Sequence, residues 1–405
     1  MGRISKKTAT QEPEPKRAAT VDEIRPLVEL CRAGRLFDVQ AWIAAGKPVN
    51  VPPRFDRRSN LKAPLEEAMA SGFHSLVQVL LQAGAVGTDG DLNRPLGLAL
   101  RMRHHDFVTL IVESGFEPAD ADMTEVFETW DSALMEYFVE RGADVETDRP
   151  LAWALCHRIQ TALSVLKKYR DRFPSFREQA NVALRHHCVE GNMKWVSLML
   201  WAGADPYAPG AHRWDDEPDA DDPGASAVEL AASYGRFEVF DLKGARLDPK
   251  HPVTQKVAES LCDGKGLTRL TKLIDAGLPA NGTGGTSLVR AVLERLDWGS
   301  WWRNLNPSFG DGGHDSHESR ERMKTLRLLV ERGGRWSPQD AREIGGVRKR
   351  LLKMKPEYTA ELVLIMTRHR ACEKSTVETL LRTPAMKSHV ARLESRITKL
   401  LDSWE

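Results

Sequence analysis

The stretch V-A-L-R-H-H-C-V-E-G-N-M-K-W-V-S-L-M-L-W-A-G-A-D-P, residues 182–206, reads as two short antiparallel helices. The first stops at Gly191 and the second runs from Met193 to Gly203, because glycine reaches the left-handed helix-stop conformation without a Cβ penalty. Trp195, Val196, Leu198, Met199 and Leu200 recur at helical spacing and make one apolar face. A lone hairpin of about 25 residues cannot bury such a face, so it needs neighbours like itself. The chain supplies them: glycines 12 residues apart recur at Gly34/Gly46, Gly72/Gly84 and Gly191/Gly203, with Arg103/Gly115 in the same register.

The hairpins also begin alike, at Arg25-Pro26-Leu27, Ala63-Pro64-Leu65-Glu66-Glu67-Ala68, Arg94-Pro95-Leu96-Gly97-Leu98-Ala99 and Arg149-Pro150-Leu151-Ala152-Trp153-Ala154. Proline suits the first helical position, where its missing N–H has no partner to lose. From Ala68 to Gly84 and from Ala99 to Gly115 the interval is 16 residues both times. This pattern resembles the ankyrin repeat family, whose units of about 33 residues carry T-P-L-H-x-A, a β-turn and two helices. The resemblance covers residues 21–338 in about nine units. The family's threonine is Arg or Ala at most starts, its histidine is assigned to His104, and its glycine is lost at Arg170.

The expected fold is therefore all-α: an ankyrin-like helical-hairpin solenoid over 21–338, after a disordered tail over 1–20 and before a C-terminal helical cap over 339–405. Inserts interrupt the solenoid at 211–223 and 297–319. The first insert holds Trp214 and the acidic run D-D-E-P-D-A-D-D, which projects as a solvated finger. Only nine residues separate Gly235 from Gly244, so the second helix of that unit has lost a turn. The cap helices are expected near 340–353, 357–370, 374–382 and 385–402. A solenoid needs its last apolar face covered, and these helices can do so.

Composition excludes several classes. With 41% hydrophobic and 28% charged residues, 405 residues can bury a large core, and a net charge of +1 shows no global bias towards polyanions. No run reaches the roughly 18 apolar residues of a membrane span, and residues 1–20 lack the apolar stretch of a secretory leader. Five dispersed cysteines, Cys31, Cys156, Cys188, Cys262 and Cys372, point to buried thiols in a reducing cytoplasm rather than to disulfides or zinc. Phosphate loops, H-E-x-x-H, G-x-S-x-G and paired metal cysteines are absent from the sequence. The pairs His104-His105 and His186-His187 lie near first-helix ends, and His314-Asp-Ser-His317-Glu318 lies in a glycine-rich loop; the sequence assigns none of them a metal, cofactor or catalytic role.

What remains is a non-catalytic scaffold that binds a protein partner, and the resemblance implies the same through fingers and concave helix faces. Candidate anchors are the loop residues Arg54, Phe55, Arg57 and Arg58, then Trp214, then the group Trp298, Trp301 and Trp302. Tryptophan is the residue most enriched at interface hot spots; the competing reading makes the three rings a plug folded over a decayed repeat. The alternative function is a nucleic-acid-associated scaffold. From Arg320 onward 20 Lys and Arg face 11 Asp and Glu, and Arg348, Lys349, Arg350, Lys353 and Lys355 are the candidate phosphate contacts.

Overall fold

The computed structural model describes residues 16–53, 62–216, 223–263, 266–282, 287–296 and 317–404. Among them the regular structure is helical, with one isolated parallel bridge between Arg17 and Asn50. The chain divides into two compact units, residues 1–180 and 181–405.

In the first unit the helices alternate: α1 Val21–Arg32, α2 Leu36–Ala44, α3 Pro64–Ala70, α4 His74–Gln82, α5 Asn93–Arg101, α6 His105–Glu113, α7 Met123–Glu128, α8 Ser132–Glu140, α9 Pro150–Cys156 and α10 Ala162–Tyr169. First helices stack in one row, α1 on α3, α3 on α5, α5 on α7 and α7 on α9; second helices stack in another, α2 on α4, α4 on α6 and α8 on α10. The core between the rows is aliphatic and aromatic, with Leu27, Leu65, Phe107, Phe127 and Phe138 fully buried.

Proline opens α3 and α9 at their first residue, as the sequence predicts. Pro26 departs from that expectation. Thr20 accepts the Glu23 N–H and starts α1 at Val21, which leaves Pro26 inside the helix with one backbone bond forgone. The same cap corrects the tail boundary. Residues 16–20 are laid against the first loop: Ala18 is buried and its N–H donates to the Asn50 carbonyl at 2.9 Å, while Lys16 donates to the Gly46 carbonyl. Asn50, itself buried, then reaches the next hairpin's loop, donating to the Gly84 carbonyl and accepting the Val86 N–H at 2.9 and 2.8 Å. Gln179 does the same between the Val145 carbonyl and the Ala152 N–H. Such amides satisfy loop groups that stacking removes from water.

Helix α11, Ser175–Glu190, contains the boundary between the units and, at 16 residues, is nearly twice the length of its neighbours. It follows the turn at Arg170, which stays right-handed at φ −55 where the repeat's glycine is missing. In the second unit, α12 Met193–Ala202, α13 Ala227–Ser233, α14 Pro252–Leu261, α15 Leu267–Asp275, α16 Leu288–Arg295 and α17 His317–Glu331 continue the hairpins. Where Gly235 and Gly244 stand too close, the second helix is reduced to two short 3-10 turns, Phe237–Asp241 and Lys243–Ala245. The C-terminal region forms α18 Ala341–Leu351, α19 Pro356–Arg368, α20 Lys374–Leu381, α21 Pro384–Val390 and α22 Glu394–Asp402. The single helix expected over 385–402 is thus two, broken at 391–393. Residues α17 and α19 pack together, as do α18 and α20, so the two-row arrangement persists there.

The hairpins turn at residues of positive φ. First helices stop at Gly34, Gly72, Gly191 and Gly235, and at Arg103 (φ 53), Trp130 (φ 60) and Arg158 (φ 66) where glycine is replaced. The same six-to-one bond closes most of them, from the N–H of Arg35, Phe73, His104, Ile159, Asn192 and Arg236 back to the carbonyl five residues earlier. A left-handed conformation costs an L-residue about 1–2 kcal/mol. Arg103→Gly should therefore raise stability by about 0.5 kcal/mol, once the greater freedom of unfolded glycine is offset. Gly115→Ala, at φ 104 with no atom within 4 Å of the added Cβ, should lower it by about 1 kcal/mol. Chemical denaturation of the two variants checks the repeat register, which fails if they shift in the same direction.

Candidate binding surfaces

Four of the five hairpins of the first unit carry an exposed apolar side chain at or next to the turn: Phe37 (82% exposed), Phe73 (40%), Met102 (39%) and Trp130 (46%). These turns touch in sequence. A Cβ on Gly34 would meet the Phe73 ring at 2.5 Å; His74 stacks on Phe107, which also stacks on His104 at 3.8 Å; and His105 Nε2 lies 2.7 Å from Asp131 Oδ2. The apolar side chains thus follow one continuous edge. His104 belongs to this edge, as the residue before α6, and not to a first helix; the motif's histidine position in that hairpin is Gly97 on α5.

On the first-helix face, α5 and α7 border a groove of about 530 Å³ with the loops at Asp89 and Asp120. Gly97 lines it, and a Cβ there would meet Glu125 Oε2 at 2.6 Å, so the absent side chain lets α7 approach. Its carboxylates are Asp89, Asp120, Asp122 and Glu125; its cations are Arg94 and Arg101. Arg101 sits 3.7 Å from Glu125, and Arg94 lies 3.4 Å from buried Glu66 and 3.9 Å from Asp89. Burial, reinforced by Asp122 and Glu128 and opposed by Arg101, lifts the Glu125 carboxyl above its ordinary value. The groove therefore holds more negative charge than its arginines balance, and a cation entering it would be favoured.

The residues singled out from the sequence are placed unevenly. Arg54, Phe55, Arg57, Arg58, Trp298, Trp301 and Trp302 lie outside the described residues. Trp214 is half-buried in the second unit beside Arg213, which pairs with Asp215 at 2.7 Å; most of the acidic run, 217–222, lies outside the described residues. The base of that insert is held by Arg185, fully buried, whose guanidinium donates to the carbonyls of Ala211, Ala208 and Pro209 at 2.6, 3.0 and 3.3 Å. Arg348, Lys349 and Arg350 are consecutive on α18, and Lys353 and Lys355 follow in the turn before α19. Consecutive helical residues diverge by about 100°, so the three point in different directions. The five cysteines are buried and none is in a disulfide, and burial pushes the thiols of Cys31, Cys188, Cys262 and Cys372 up to about 12.

No family model matches the chain. Over 246 residues it is 26% identical to an ankyrin repeat and KH domain-containing protein of Caenorhabditis briggsae, an alignment covering 55% of this chain and 8% of that protein. The relative's name and the hairpin register of this chain both point to ankyrin repeats. The chain is an ankyrin-repeat-like protein. A crystal structure of the human ASB11 ankyrin repeat domain matches at a TM-score of 0.34 and 21% identity, covering 58% of this chain and 97% of that one. The ankyrin-repeat-like chain spans less than a tenth of its curated relative, and its described helices include none long and apolar enough to cross a membrane.

Asp131 joins the apolar edge to the fold. Its Oδ1 accepts the N–H groups of Ala133 and Leu134 at the start of α8 while Oδ2 meets His105. Burial raises its pKa, but the bonds from His105 and the two backbone N–H groups outweigh it, leaving the carboxyl below its ordinary value. A lowered carboxyl contributes stability above its unfolded value, about 3.9, that is lost as pH falls through the folded value. Asp131→Asn keeps a capping oxygen and removes the titration. Its stability deficit against wild type should be present at neutral pH and close as pH drops below about 4; a deficit that is constant from pH 7 to pH 3 contradicts the assignment.

Proposed function

We propose that this chain is a non-catalytic scaffold that binds a protein partner, and that the partner meets the hairpin-turn edge and first-helix groove of the first unit. The observation that carries the reading is the edge of Phe37, Phe73, Met102 and Trp130. Contiguous exposed apolar side chains mark interaction sites, and aromatic anchors dominate interface energetics. The neighbouring groove supplies a second chemistry, surplus carboxylates suited to a Lys or Arg of the same partner. Proteins with ankyrin repeats generally serve as binding scaffolds. A stacked-hairpin surface is preformed, so little ordering entropy is lost on binding.

On this reading the loop residues Arg54, Phe55, Arg57 and Arg58 and the insert residues Trp214, Trp298, Trp301 and Trp302 are further contacts, and residues 339–405 cap the solenoid. Buried cysteines outside any disulfide suit a reducing compartment, and the cytoplasm is the proposed location. Nucleic-acid binding is the second reading. The divergent directions of Arg348, Lys349 and Arg350 weigh against it, as does the lack of a large apolar side chain among the exposed ones of the C-terminal helices in the described residues.

The test is a partner capture with affinity-tagged full-length chain, repeated with Phe37→Ser, Phe73→Ser and Trp130→Ser combined. These side chains are exposed, so the melting temperature should change little, whereas capture of the partner should fall at least tenfold. Unchanged capture sinks the edge as the docking site. A mobility shift on nucleic acid near physiological salt, abolished by neutralising Arg348, Lys349, Arg350, Lys353 and Lys355, would reverse the order of the two readings.

A further inference from the structure

The last turn of α11 brings three ligating side chains together in the second unit. His186 and Glu190 are four residues apart and His187 and Glu190 three, so all three share one end of the helix. The two imidazoles divide a single carboxylate: His186 Nε2 lies 3.5 Å from Glu190 Oε1, and His187 Nδ1 lies 3.3 Å from Glu190 Oε2. One ligand atom from each residue lies within 4.8 Å of the other two.

We propose that His186, His187 and Glu190 form a binding site for a divalent cation of the zinc class. Zinc takes His nitrogen and carboxylate oxygen at about 2.0–2.2 Å, and tetrahedral geometry then sets neighbouring ligand atoms about 3.3–3.5 Å apart. Each imidazole nitrogen stands at that separation from a different Glu190 oxygen, so the cation enters as the carboxylate turns one oxygen towards both nitrogens and the ligand atoms, already within 4.8 Å of one another, draw together. Two imidazoles and one carboxylate suit zinc, cobalt, nickel or copper and disfavour magnesium and calcium, which take oxygen ligands.

The surroundings favour a cation. The site sits at the C-terminal end of a 16-residue helix, where the aligned peptide dipoles place partial negative charge. His187 is fully buried and its ring lies 5.4 Å from that of buried Trp195 on α12, while its carbonyl accepts the N–H groups of Gly191 and Asn192 that turn the chain. One ligand is thus positioned by the hairpin itself. His186, 25% exposed, and Glu190, 36% exposed, give access from solvent. Three protein ligands leave a position for water, as in open zinc sites. A bound cation would cross-link side chains of the last turn of α11, next to the stop at Gly191.

Full-length protein, stripped with a chelator and dialysed, would be titrated with Zn²⁺ by calorimetry and with Co²⁺ by visible absorption. One equivalent should bind per chain, Co²⁺ should show the intense ligand-field bands of low coordination, and Zn²⁺ should raise the melting temperature. His186→Gln and Glu190→Gln, at partly exposed positions, should each weaken binding at least tenfold while leaving the circular dichroism unchanged. His314→Gln with His317→Gln should bind as wild type. Absence of saturable Zn²⁺ binding, or binding lost in the His314/His317 variant and kept in His186→Gln, overturns the proposal.

Discussion

Everything in this chain depends on reversing direction within two or three residues while keeping an apolar stripe facing inward. A helix of seven to nine residues cannot hold itself together in water, since its nucleation cost is recovered only by packing. The left-handed residue at seven of the hairpin turns, from Gly34 to Gly235, makes that packing possible. It returns the chain so that the second helix lies against the first, and the six-to-one bond satisfies a carbonyl that the helix end leaves open. Arg103, Trp130 and Arg158 accept the strain because the hairpin on either side is already determined by its neighbours.

The same turn determines what is displayed. Side chains beside a left-handed stop divide between core and solvent: Thr129 and Ile159 turn inward and are buried. Phe73, Met102 and Trp130, at or beside these stops, are exposed, and the Phe73 ring lies against the preceding turn at Gly34. The loops at the other ends of the helices meet a different requirement. Stacking removes their backbone groups from water, and Asn50, Gln179 and Arg185 supply the missing partners from neighbouring segments. Apolar contact sets the spacing between hairpins, and these buried polar groups set how each loop is aimed. A groove bordered by two helices and two loops follows from both.

Much of the fold was legible in the residues themselves. Glycine every 12 residues and proline at the hairpin starts identified the repeat, because only certain backbone angles fit those positions and few residue types reach them. The shortened interval between Gly235 and Gly244 likewise announced a second helix short by a turn; the structure goes further and replaces it with two 3-10 segments. Local composition misled where a distant partner intervenes. Residues 16–20 resemble a solvated tail, yet Asn50 receives Ala18, and Thr20 starts α1 before the proline expected to open it. The helix expected over 385–402 breaks at 391–393 although its periodicity runs through.

The surfaces divide in the same way. The sequence by itself determined the hairpin, its stops, its buried face and the burial of the thiols, because each depends on residues within one or two turns. It also drew attention to aromatic and charged runs, which are conspicuous in one dimension. The tertiary structure alone decided that Phe37, Phe73, Met102 and Trp130, some 30 residues apart in the chain, share an edge, and that Gly97 opens a groove beside Glu125. It alone decided that two adjacent histidines converge on one carboxylate, since only the helical rotation of α11 brings residues 186, 187 and 190 to the same end. Stacking converts a repeat distance into proximity, and proximity is not written at any single position.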